Sequence, residues 1–226
     1  METIKLTTWQ AVSDYCDSGF MQIRMSQFEH LYQHANYYPR HAYSKGQLAS
    51  KSWLLDKLCN TPIELSTAQP TVAILGSWIG ALVDPLHRYM PCERIYGIDA
   101  DPECVAISEK LNQEYLEGWR YKGVCADVTQ LDCSNMQFET GGELIDVTPH
   151  IIINTSCEHM NADWFDTVSS HQLIAMQTNN STEFDGHVNT CDSVQAMQEQ
   201  YPLTDTVYVG EMQTPAYTRL MQIGYK

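Results

Sequence analysis

The stretch VAILGSWIGAL, Val72–Leu82, decides how this chain is read. An apolar run, Val72–Leu75, halts at Gly76, turns through Ser77-Trp78-Ile79-Gly80 and becomes apolar again. A short apolar run that stops at glycine and resumes on the far side of a tight turn is how a buried strand delivers its chain to a helix. Gly76 matters because the absence of a β-carbon lets backbone approach a neighbour closely.

Downstream the alternation repeats. Arg94–Ile98 reads as a second strand, after a first helix over about Ile79–Tyr89. Asp101 and Pro102 then open another helix with N-cap and N1 chemistry, its apolar positions Cys104, Ile107, Leu111 and Tyr115. Tyr121–Cys125, His150–Asn154 and Leu173–Gln177 read as the next strands, with helices over about Ala162–Ser169 and Asp192–Gln200. Thr206–Glu211 and Thr218–Tyr225 are separated by too few residues for a helical crossover, so they are expected to form a hairpin. Repeated strand–helix–strand units place a parallel sheet between helical layers. The expected fold is therefore α/β, a mostly parallel, doubly wound seven-stranded sheet with a C-terminal antiparallel hairpin. Residues 1–60 read as an N-terminal helical cap, ahead of the domain formed by 61–226. Within it Ser44 and Gln47 fit a capping box, and Leu48, Trp53, Leu54, Leu55 and Leu58 supply an apolar face.

Composition narrows the function. The chain has 226 residues, enough for one α/β domain with additional helices. No apolar run approaches the roughly 20 residues of a bilayer span, and METIKLTTWQ lacks the charged-then-apolar order of a secretory leader. A cytoplasmic chain is expected, with its 8 scattered cysteines reduced and no CxxC pair among them. His30 and His34 have the spacing of one helix face, but no matching carboxylate or second pair accompanies them, so no metal is expected. The formal net charge is −15, and between Gly123 and Thr218 there is no Lys or Arg. Polyanion binding needs clustered basic groups, so duplex nucleic acid is not an expected partner. The acidic surface either keeps the chain soluble or attracts cations.

Four stretches resemble motifs of the class I S-adenosylmethionine (SAM)-dependent methyltransferases. ILGSWIG (Ile74–Gly80) resembles the first motif, with Gly76 and Gly80 matching its flanking glycines and Ser77 a common residue there. IYGIDADPECVAISEKLN (Ile95–Asn112) resembles the second, a strand ending in an acidic residue. GVCADVTQL (Gly123–Leu131) resembles the third, and IIINTSCEHM (Ile151–Met160) stands where the fourth sits, beside the transferable methyl group. The resemblance implies that SAM is the cofactor, held by Gly76, Ser77, Trp78, Gly80, Asp99, Ala100, Asp127, Val128 and Asn154. Asp99 would accept from the ribose hydroxyls, and Asp127 with the Val128 backbone would hold the adenine edge. The missing glycine of GxGxxG and the acidic strand ends weigh against a dinucleotide.

Two positions depart from the family pattern. Ile74 stands where an acidic residue is usual, and Trp78 replaces the central glycine. The indole either plugs the core beneath the loop or stacks on the ligand, where it would face the sulfonium cation. For the chemistry, Asn154, Glu158 and His159 are the expected catalytic residues, with Glu158 or His159 taking the acceptor's proton. Cys157, Asn179, Asn180, Glu183, Asp185 and His187 also follow the fourth and fifth strands. Lys45 and Gln47 either reach the cofactor's carboxylate or serve only the helix cap. NTSC is not the Asn-Pro-Pro-aromatic motif of enzymes methylating bases and glutamine. The expected acceptor is a small molecule or a protein side chain, with an amine or other cation mildly favoured. Aminocarboxypropyl transfer, SAM cleavage and a non-catalytic binding module are the alternatives.

Overall fold

The structure, a computed structural model, describes Ala42 and residues 44–226 apart from Gly141 and Pro215. The cap expected over residues 1–60 lies outside the described residues except for its last helix, and so does the His30–His34 pair. That helix, α1 (Lys45–Asn60), begins where the sequence places its cap: Ser44 is extended and its hydroxyl accepts the Gln47 N–H at 3.3 Å. The reciprocal half of the capping box is not made, because the Gln47 side chain accepts from Lys51 Nζ instead. Leu48, Leu54, Leu55 and Leu58 are buried in the same apolar cluster as the central strands. Each is worth about 1.5–3 kcal/mol when fully buried, so α1 is built into the core of the sheet.

The central strands are β1 (Thr71–Leu75), β2 (Arg94–Asp99), β3 (Tyr121–Cys125), β6 (Ile151–Asn154) and β7 (Leu173–Asn179). With the long hairpin β8 (Asp205–Gln213) and β9 (Thr218–Tyr225), they form one sheet in the order β3-β2-β1-β6-β7-β9-β8. The first five are mutually parallel, with Val72 opposite both Ile95 and Ile151 and Ile151 opposite Leu173. β9 runs antiparallel to β7 and β8. All of β6 and β7 is buried, as a sheet covered on both faces requires. Alternation along each strand sends Val72, Ile74, Ile151 and Ile153 into the cluster with α1 and α2 (Val83–Tyr89). Ala73, Leu75, Ile152 and Ile174 join Trp164 and Phe165 on the opposite face. Around the sheet lie α3 (Pro102–Leu111), α4 (Gln113–Glu117), α5 (Asp163–Asp166) and α6 (Val194–Gln200).

The expected fold is observed, with three differences. The first helix starts at Val83 instead of Ile79, because Gly76, Trp78 and Gly80 all have positive φ and hold the chain in a turn. The helix expected over Ala162–Ser169 shrinks to the single turn of α5. A pair of strands, β4 (Met136–Thr140) and β5 (Glu143–Val147), forms a separate antiparallel ribbon that the sequence reading left without an element. It is anchored by Met136, Phe138 and Val147, buried in the second cluster. Among the described residues, no helix is long and apolar enough to cross a membrane.

Candidate active site

In an open parallel sheet, strand ends diverge where the strand order reverses, and the crevice there is the natural ligand site. Here the reversal falls between β1 and β6. A cavity of about 1240 Å³ opens at the carboxyl ends of these strands, walled by the loops that follow β1, β2, β3, β6 and β7 together with the start of α1 and part of β9.

The loop after β1 is held from β2. Ser77 N–H donates to Ile98 O at 2.9 Å, and Trp78 N–H donates to Asp99 Oδ2 at 2.7 Å. Trp78 has φ 52°, the left-handed region that costs a non-glycine residue about 1–2 kcal/mol. A hydrogen bond to a carboxylate offsets a cost of that size. The indole is half-buried; it packs against the α1-side core and also lines the cavity. Gly76 has φ 60°, and a β-carbon there would come within 3.1 Å of Met160 and Ser156 in the loop after β6. Glycine at this position thus lets the two loops close on each other. Gly80 serves differently: it does not line the cavity, and a β-carbon would meet Asn112 and Ser108 at 2.8 and 2.9 Å. It packs closely against α3, with Asn112 Nδ2 donating to Gly80 O at 3.1 Å.

Ser77, Asp99, Ala100, Asp127 and Val128 all line the cavity. Asp99 Oδ1 accepts the Asp101 N–H at 3.0 Å, so each of its oxygens takes one backbone donor and keeps further acceptor capacity. Asp127 Oδ1 accepts from Thr129 N–H at 2.9 Å and from its hydroxyl at 2.8 Å. Asn154, expected among both the cofactor and the catalytic residues, lies fully buried behind the wall. Its Oδ1 accepts the Ser156 N–H at 2.9 Å and its amide points at Met160 Sδ, 3.3 Å away. It shapes the loop that carries Glu158 and His159, a positioning role.

Beneath that loop is a buried polar network that the sequence reading missed. Arg219 on β9, 1% exposed, donates through Nε to Ser50 Oγ at 3.1 Å and through Nη2 to Thr155 O at 3.1 Å. Its Nη1 pairs with Glu158 Oε1, which also accepts from Asn179 Nδ2 at 2.7 Å. Burial, the largest single influence, would lower the arginine's pKa; the Glu158 carboxylate, together with Tyr217 and Cys157, raises it on balance. Ser50 and Gln177 exchange two further hydrogen bonds, 2.8 and 3.0 Å, tying α1 to β7. A signal was available: Arg219 is the first Lys or Arg after Lys122, and it precedes the apolar pair Leu220-Met221 in a strand.

Lys51 lies on the buried face of α1 and lines the cavity. Burial, then the Arg219 charge, push its ammonium down to about 7 against a weaker upward pull from Glu158. Its folded pKa lies below the unfolded 10.5, so from about pH 7 to 10.5 the unfolded chain binds the additional proton. Stability then rises with pH across this window, and below about 7 the penalty of burying the charge is fully present. Urea unfolding of wild type and Lys51→Met at pH 7 and pH 9.5 checks this. The stability of wild type relative to the variant is expected to increase by roughly 3 kcal/mol; the titrating thiols and tyrosines cancel in that comparison.

Of the other candidates, Lys45, Gln47, Asn179, Asp185 and His187 line the cavity, as do Glu158 and His159. Asn180 and Glu183 do not; Asn180 Oδ1 accepts the Thr218 N–H at 2.9 Å and joins β7 to β9. Cys157 is buried, and desolvation, then the Glu158 charge, hold its thiol well above the ordinary value. It is chemically inert in that state.

No protein-family model matches the sequence, and no curated protein matches it. Solved structures do match over most of their length. N-methyltransferase NodS from Bradyrhizobium japonicum WM9, in complex with S-adenosylhomocysteine, superimposes with a TM-score of 0.59 at 11% identity, covering 89% of this chain and 100% of that one. Magnesium protoporphyrin IX methyltransferase from Synechocystis PCC 6803, also with bound S-adenosylhomocysteine, gives 0.52 at 16% identity and 93% and 96% coverage. Geranyl diphosphate C-methyltransferase from Streptomyces coelicolor A3(2) gives 0.55 at 10% identity, covering 79% of this chain and 78% of that one. With its strand order, its terminal antiparallel hairpin and these neighbours, the chain has the Rossmann-like fold of the class I SAM-dependent methyltransferases.

Proposed function

We propose that this protein is a SAM-dependent methyltransferase acting on a small molecule or a protein side chain. The observation that carries the reading is the convergence on one cavity of the Gly76–Trp78 loop, Asp99, Asp127–Val128 and the Glu158–His159 turn. The residues present fit the cofactor. Asp99 retains acceptor capacity for two ribose hydroxyls, and Val128 with Ala100 offers a short apolar wall for a purine. The lysines and arginine lining the cavity, Lys45, Lys51 and Arg219, come from α1 and β9 and not from the ends of β1, β2 or β3. A pyrophosphate placed over β1 and β2 would meet Asp99 with no cation beside it, which argues against NAD.

SAM, when bound, supplies an electrophilic methyl group on a sulfonium. The chain's own contribution is to orient and to exclude water. Asp99 fixes the loop that presents Trp78, whose ring faces a cavity walled further by Ile74, Ile79 and Leu82. Lys45 and Gln47, at the first turn of α1, stand where a carboxylate can be received. Glu158 and His159 with His187 mark the acceptor end, beside the half-exposed ring of Phe184. Holding the nucleophile in line with the methyl group, about 3–3.5 Å away, is the main catalytic task in such a transfer. The bound product in NodS and in the protoporphyrin enzyme supports the cofactor assignment, and the lack of any Lys or Arg between Gly123 and Thr218 supports an acceptor other than duplex nucleic acid.

Calorimetric titration with SAM, S-adenosylhomocysteine and NAD tests the reading. Micromolar binding of the first two and none of the third is expected. Product analysis then separates the reactions, since methyl transfer leaves S-adenosylhomocysteine and aminocarboxypropyl transfer leaves methylthioadenosine. Failure to bind SAM or its product overturns the proposal in favour of a binding module.

A further inference from the structure

We infer that Glu158, His159 and His187 form a binding site for a first-row transition-metal dication at the acceptor end of the cavity. The ligating atoms of the three side chains all lie within 4.8 Å of one another. They come from two loops, after β6 and after β7, that are bolted together by backbone. Val188 N–H and Asn189 N–H both donate to Glu158 O, at 2.8 and 3.1 Å, and Asn189 Nδ2 donates to Met160 O at 3.1 Å. The two imidazoles meet edge to face, their centroids 4.7 Å apart.

Each ligand is oriented from behind. His159 Nδ1 lies 3.2 Å from Gly186 O, and His187 Nδ1 lies 2.6 Å from Ser181 O. A carbonyl oxygen only accepts, so each Nδ1 carries its ring's proton and each Nε2 presents a lone pair. That arrangement is the usual outer support of metal-binding histidines. Glu158 is 3% exposed, with Oε1 occupied by Arg219 and Asn179. Its Oε2 is buried and has no hydrogen-bond partner among the described residues. A buried carboxylate oxygen without a donor is costly, and a cation meeting two imidazole lone pairs at this point removes the cost.

The donor set selects the metal. Two imidazoles and one oxygen of a carboxylate already neutralised by Arg219 favour zinc, cobalt, iron or manganese over the all-oxygen coordination of calcium and magnesium. Three protein ligands leave at least one position open to the cavity, as in catalytic sites. The site stands independently of the cofactor. Its use rests on the methyltransferase reading: an acceptor oxygen, nitrogen or sulfur bound there loses its proton more readily.

The test uses untagged full-length protein, stripped with EDTA and titrated separately with Co²⁺, Zn²⁺ and Mn²⁺. One equivalent of at least one of these is expected to bind, with cobalt giving d–d absorption free of thiolate charge-transfer bands. Outer-sphere losses alone weaken such sites 10–100-fold, so His159→Ala and His187→Ala are each expected to weaken binding more than about 100-fold. Their unchanged circular dichroism and melting temperature without metal would exclude misfolding. Absence of stoichiometric binding by the wild type overturns the inference, as does binding that survives both substitutions or carries thiolate bands. SAM titration of the stripped protein reads the cofactor assignment separately, so failure of one does not imply failure of the other.

Discussion

Replacing Arg219 by methionine is expected to destabilise the protein by about 3–5 kcal/mol, the usual cost of leaving a buried charge without its partner. Methionine fills the space of the aliphatic stem, so little of this is a cavity effect. The loss arises because Glu158, 3% exposed, keeps only Asn179 as a donor to its Oε1. Ser50 Oγ and Thr155 O lose donors too. Combining Arg219→Met with Glu158→Gln removes the stranded charge, and the double variant is expected to recover about 1–3 kcal/mol of the loss. Urea unfolding of the wild type, both single variants and the double variant measures the coupling. Strict additivity would mean that the pair contributes nothing as a pair and that the arginine acts only through Ser50 and Thr155.

Asp99→Ala is expected to weaken SAM binding by more than about 100-fold. Two hydrogen bonds from ribose hydroxyls to a carboxylate are each worth about 1.5–3 kcal/mol, and the same substitution releases the Trp78 and Asp101 N–H groups that now bond to Asp99. Trp78, at φ 52°, would then bear its backbone strain without the hydrogen bond that offsets it. Asp99→Asn keeps one carbonyl oxygen and is expected to fall between wild type and alanine. Calorimetry measures all three, with circular dichroism reporting whether the fold is retained. An unchanged dissociation constant for Asp99→Ala in a folded protein would move the ribose anchor elsewhere and remove the main support for the cofactor reading.

The expected and observed elements agree where the deciding forces are local. Val72–Leu75, Ile151–Ile153 and Leu173–Met176 are apolar runs because both faces of these strands are buried. Ser44 and Asp101 announce their helices because each side chain bonds a backbone N–H two or three residues on. The β4–β5 ribbon escaped because, among its described positions, only Met136, Phe138 and Val147 are buried, while most of its exposed positions are polar and the sequence between the strands is glycine-rich, as in a loop.

The succession of strands along the chain, the helix caps at Ser44 and Asp101, and Asp99 at the end of β2 were therefore determined by the sequence itself, since each depends on neighbours a few residues away. The tertiary structure alone decided which polar groups share the cavity. Arg219 meets Ser50 across 169 positions and Glu158 across 61, and His187 reaches His159 only because Val188 bonds the Glu158 carbonyl. Gly80, part of the motif by spacing, packs against Ser108 and Asn112 outside the cavity lining, and Asn154 accepts the Ser156 N–H in the loop after β6. Charges and imidazoles carry no periodic mark of their own; what they do is set by partners that only folding brings within a few ångströms.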